Sequence, residues 1–179
     1  MFFQVLLAII LAKYKGYRVT KALKRAPFYP FYVMEIIYVI FQVSIFLNCY
    51  YFVPYASILK STTMYVLLIP IFVYKLYLPA IAGSGFIAVG TIMNKLVINA
   101  NGGKMPVYPT LSKYTGYFTE EMIKHSSLHS LGGPDTKLKL LSDYIDVGYS
   151  VLSIGDLFIH MFIFIVFFYG IKAVTNTSN

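Results

Sequence analysis

Apolar residues fall in long blocks along this chain, separated by short polar or basic stretches. Phe31–Val53, Ala80–Asn99 and Val151–Val174 each reach the roughly 20 residues that a helix needs to cross a bilayer. Thr62–Leu78 is shorter, and Pro70 inside it predicts a kink. The first run, Phe2–Ala12, includes Gln4 and crosses only if its helix continues to about Val19 while Lys13 and Lys15 snorkel. The pattern predicts an all-α polytopic transmembrane bundle of about five helices: 2–19, 31–53, 62–78, 80–99 and 151–174. There are four if the first run does not cross, and in either case 1–179 forms a single membrane domain.

Between the last two runs lies a polar segment, 100–150, expected to be extracytoplasmic and mostly helical. Helices are expected over Thr119–His129 and Lys137–Tyr144. Leu138, Leu141 and Ile145 recur at helical spacing and are expected to face the membrane domain, with Lys137 and Asp143 near water.

Charge orients the bundle. Lys13, Lys15, Arg18, Lys21, Lys24 and Arg25 crowd the first basic loop with no acid among them, which places that loop in the cytoplasm. Lys75 and Lys172 then also fall inside. The segment 100–150 balances five lysines with five acids and falls outside. Composition agrees: 58% of residues are hydrophobic and 12% charged, against roughly 25% charged in soluble domains. The net charge of +8 is therefore a sign of topology, not of nucleic-acid binding. The location implied is the bacterial inner membrane, with the lipid bilayer and a membrane-protein partner as surroundings. One cysteine, Cys49, excludes an internal disulfide. Tyr29 and Tyr32, and at the other end Tyr50, Tyr51 and Tyr55, suit an aromatic belt. Ala80, Ser84 and Ala88 form a small-residue stripe that permits close helix packing.

Two motifs flank the polar segment. In "NANGGKMPV" (99–107), Gly102 or Gly103 suits a left-handed helix cap, Lys104 suits the negative dipole end, and Pro106 keeps the helix from resuming. In "LSIGDLFIH" (152–160), Ser153 and Asp156 have capping-box spacing, with Asp156 expected to reach back to the Ser153 amide. His160 follows Asp156 by one turn. Both motifs lie at one membrane level. Asn101, Gly102, Gly103, Lys104, Pro106, Lys95, Ser153, Asp156 and His160 therefore form a candidate cluster. In it the Asn101 turn is expected over the start of the last helix, and Lys104 or Lys95 near Asp156.

The stretch "NKLVINANGGKMPV" (94–107), then "DTKLKLLSDYI" (135–145) and "SIGDLF" (153–158), resembles a family of small bacterial membrane proteins of unknown function. The matches are Asn101 to Val107, then Thr136, Lys137, Leu138, Leu141 and Asp143, then Ser153 to Asp156. The resemblance implies no activity, cofactor or ligand; it implies that these motifs belong together.

Enzyme motifs are weak. His125 and His129 have metal spacing on a helix, with Asp135 or Asp143 as a third ligand, but no Glu follows His125 as in zinc proteases. No phosphate loop, dinucleotide fingerprint or paired carboxylates occur, so neither a metal nor a cofactor is expected. The leading class is a non-enzymatic membrane subunit that binds a partner. A small-molecule binding or transport component, with a site under the outer segment, is the alternative, and an intramembrane enzyme is the third.

Overall fold

The computed structural model describes residues 1–124 and 126–177. The chain is predominantly helical, of the all-α bundle class. Its helices are α1 (Phe2–Tyr14), α2 (Val19–Leu23), α3 (Tyr29–Phe46), α4 (Ala56–Val66), α5 (Leu68–Val73), α6 (Tyr77–Ala100), α7 (Leu111–Tyr114), α8 (Glu120–Lys124) and α9 (Ile154–Asn176). Short strands β1 (Met105–Val107), β2 (His129–Leu131), β3 (Ile145–Asp146) and β4 (Val151–Leu152) all fall in or beside the polar segment. Among the described residues, four stretches are long and apolar enough to cross a membrane: Ala26–Phe46, Tyr50–Val73, Tyr77–Ala100 and Ile154–Asn176. Phe2–Tyr14 is apolar but shorter.

The helix boundaries differ from the hydropathy expectation for local reasons. The expected 31–53 helix stops at Phe46. Asn48 turns left-handed (φ 57), its amide donates to Ile45 and that of Cys49 to Ser44, which is a Schellman ending. The chain then starts afresh at Tyr50 as a 3-10 turn, Tyr50–Tyr55. Pro70 has no N–H for the Val66 carbonyl, and the helix breaks at Leu67 into α4 and α5. The apolar blocks are apolar on the outside as well. α3 exposes Val33, Ile36, Val39, Ile40 and Val43. In water that surface would cost about 25 cal/mol per Å², whereas hydrocarbon accepts it.

The chain forms two compact units. The first, residues 1–38, 58–87 and 160–179, has a core of Phe28, Phe31, Leu67, Ile71, Phe162, Ile163, Val166 and Phe167. Phe167 meets Phe28 at 5.0 Å and Phe31 edge-on at 4.7 Å. Gly83 leaves room for the Phe162 ring, which a Cβ there would meet at 2.7 Å.

The second unit, residues 39–57 and 88–159, contains the polar segment. Here the expectation of a mostly helical segment is corrected. α8 ends at Lys124, and His129–Leu131 is a strand instead of the end of a helix. Lys137–Tyr144 contains only the 3-10 turn Lys139–Leu141, entered through left-handed Leu138 (φ 54). Leu138 is exposed and Asp143 is buried, the reverse of their expected placement. Gly132, Gly133 and Pro134 remove the helical option just upstream.

Candidate functional site

β1, the "MPV" of the first motif, is the centre of a small ladder. It pairs in parallel with β2, Met105 opposite His129 and Val107 opposite Leu131. On its other side it bridges to Asp143, whose amide donates to the Pro106 carbonyl at 3.0 Å and whose carbonyl accepts from Tyr108 at 2.8 Å. Met105, Pro106 and Val107 are all buried. β1 thus holds His129 on one side and Asp143 on the other. His129 Nε2 lies 3.6 Å from Asp143 Oδ2, and Ser126 Oγ lies 2.7 Å from His129 Nδ1. His125 lies outside the described residues. Among the described residues no three metal-binding side chains cluster.

α6 ends as the glycines require. Gly102 and Gly103 are left-handed (φ 67 and 83), and the Gly103 amide donates to Ile98 at 2.9 Å. Asn101 uses both ends of its amide. Nδ2 donates to the carbonyls of Val97 (2.8 Å) and Lys137 (2.9 Å), while Oδ1 accepts from the Lys137 amide at 2.9 Å. Asn101 therefore ties the end of α6 to residue 137 and not, as expected, to the start of the last helix. Lys95 and Lys104 are exposed.

Asn94, missed as a site residue, makes the link to the last helix. Its Nδ2 donates to Asp156 Oδ1 at 3.0 Å, and its Oδ1 accepts from Ser153 Oγ at 2.9 Å. Ser153 caps α9 by accepting from the Asp156 amide at 2.9 Å. The Asp156 carboxylate turns to Asn94 instead of reaching back to the Ser153 amide. No lysine lies within ion-pair distance of it among the described residues. Gly90 and Gly155 permit this approach, since a Cβ at Gly155 would collide with Asn94 Oδ1 and the Gly90 carbonyl. His160 is buried in the first unit. The signal for Asn94 was present in the sequence: an amide inside an apolar helix, two turns before Asn101 and on the same face.

Asp146 is a second, partly buried junction. Oδ2 accepts from the amides of Thr110 (2.6 Å) and Ser112 (2.9 Å) and from the Ser112 hydroxyl (2.7 Å), and Oδ1 accepts from Gly148 at 2.8 Å. Burial alone would raise its pKa. The backbone bonds from Ser112, Gly148 and Thr110 and the Ser112 hydroxyl outweigh that and hold the carboxyl below the usual aspartate value.

A helical bundle with four stretches able to cross a membrane, carrying a folded polar segment between the third and fourth, defines a protein of membrane type. The chain belongs to the family of unknown function DUF5317, whose profile matches residues 20–168. It matches no curated protein and no solved structure.

Proposed function

We propose that the chain is a multi-pass protein of the cell membrane that holds its polar segment, residues 100–150, on the outer face as a binding module for a partner membrane protein. The basic loop 13–25 lies inside in this reading, supported by its six cations and absence of acids. The observation that carries the partner is apolar exposure on an otherwise polar module. Tyr114 is 91% and Leu140 76% exposed, with Leu128 and Leu131 also open. Large exposed apolar groups on a structured segment mark contact surfaces, and a polar segment of this length that is built on ladders is more than a connector.

Topology is tested with an impermeant thiol reagent on intact cells, in a Cys49→Ala background. Lys113→Cys is expected to label and Thr20→Cys to label only after permeabilisation; the opposite pattern defeats the orientation. A photo-crosslinking residue at Leu140 is expected to yield one discrete adduct in native membranes. Absence of any protein adduct there and at Tyr114 removes the partner.

A further inference from the structure

An open cavity of about 490 Å³ lies in the second unit, lined by Asn48, Tyr50, Tyr51, Pro54, Tyr55 and Glu121. It is an open cleft, suited to a small group held at its rim and not to an enclosed ligand. Its walls are built by local chemistry. The left-handed turn at Asn48 ends α3 and launches the 3-10 turn that carries all three tyrosines. The Tyr50 ring is buried with Ile45 and Tyr117. The Tyr50 hydroxyl donates to Asn48 Oδ1 at 3.0 Å and shares a 2.8 Å hydrogen bond with Thr119 Oγ1. Thr119 Oγ1 in turn accepts from the Met122 amide at 3.2 Å, capping the start of α8. This chain of bonds anchors α8 beside the tyrosines and sets Glu121 in the cavity wall.

The lining selects for one kind of ligand. Among the described residues the lining offers three aromatic rings, an amide and one carboxylate, with no Lys, Arg or His. Tyr51 and Tyr55 are 71% and 48% exposed, with ring centroids 6.3 Å apart and tilted 46° to each other. Ring faces carry partial negative charge and attract cations, above all quaternary ammonium groups. Glu121 places a carboxylate beside the rings, which favours a cation over an anion. An aromatic belt explains tyrosines at a helix end, but not a carboxylate beside them.

We propose that this cavity binds an organic ammonium group, held by the faces of Tyr51 and Tyr55 and paired with Glu121. The same chemistry comes from a choline or ethanolamine lipid headgroup and from a free ammonium compound. Membrane location bears only on which of these is available; the site itself does not depend on the partner proposed above.

The test uses the full chain in a non-ionic maltoside detergent, with choline chloride titrated against sodium chloride and tyrosine fluorescence as the readout. Wild type is expected to show a saturable change with choline and none with sodium. Glu121→Gln and Tyr51→Ala are each expected to weaken binding about tenfold or more, and Tyr51→Phe to stay near wild type because the ring face remains. Both altered side chains are exposed, so helical content and melting are expected to stay unchanged. Nanodiscs of phosphatidylcholine against phosphatidylglycerol distinguish the sources. Retention of choline lipid that is lost in Glu121→Gln assigns the lipid headgroup; free choline binding without lipid preference assigns the soluble compound. No saturable choline effect in wild type, or Glu121→Gln and Tyr51→Ala titrating like wild type, overturns the site. The thiol-labelling result is read independently, so a failure here leaves the topology standing.

Discussion

Around Phe167, the first unit is held by ring contacts: Phe28 and Phe31 pack on one buried side chain. Around Asp146, the second unit is held by four short hydrogen bonds to one carboxylate. The difference follows from what each region can bury. Helices apolar on every side gain little from apolarity as such in lipid and depend on close fit and dispersion. A polar segment with strands of two or three residues has few ladder bonds, so its side chains supply bonds that long ladders supply elsewhere. Size and shape should therefore govern sensitivity in the first region, and hydrogen-bonding capacity in the second.

Phe167→Ala should have the largest effect, about 3 kcal/mol or more, because it leaves a cavity among aromatic neighbours that cannot collapse. Thermal melting in detergent, followed by circular dichroism, checks it; a loss under about 1 kcal/mol would break the contrast. Asp146→Ala should cost about 2–3 kcal/mol locally, since several backbone donors lose an ionised acceptor. Hydrogen exchange at Leu111–Tyr114 is the measurement, with the first unit's amides unchanged. The same carboxylate predicts an acid limb. Its folded pKa lies below the unfolded one, so its stabilisation is complete above the ordinary value of 3.8 and is lost as pH falls through the folded value. Protection of Leu111–Tyr114 should be level from pH 7 to about 5 and decline in acid, and Asp146→Asn should remove that decline. The smallest effects belong to the Asn94 link. Asn94→Ala should cost about 1–2 kcal/mol, and Asp156→Asn under about 1, because an amide oxygen still accepts from Asn94. Equal losses from the two would show that the charge of Asp156 matters beyond this bond.

Much of the bundle was legible because crossing a bilayer demands long apolar runs, which survive any detail of packing. The caps at Gly102 and Ser153 were legible too, since few residue types meet those backbone needs. The polar segment was read least well. β1 and β2 are three residues each, too short for a period-two pattern to emerge. The helical spacing of Leu138 and Leu141 was coincidental in a stretch where Leu138 turns left-handed. Within the candidate cluster, the polar groups were visible but their pairing was not. Asn101 and Asn94 share a face two turns apart, and only the tertiary fold decides that one meets residue 137 and the other Ser153 and Asp156.

Pro106 sets limits on insertions and deletions. Its missing N–H falls on the side of β1 that faces Asp143, whereas Met105 donates toward β2, to Leu128 at 2.8 Å. A slip of one residue would bring the proline into a donating position and forfeit a ladder bond. The ladder thus has a single usable frame, and the 3.6 Å approach of His129 to Asp143 depends on that frame. Homologous chains should vary in length within 109–127 and 132–142 only where the bonds of Thr110 and Ser112 to Asp146, of Thr119 to Tyr50 and of Lys137 to Asn101 survive. They should keep an invariant count of residues from Asn101 to Tyr108, because adding one there would rotate every side chain of β1 to the opposite face.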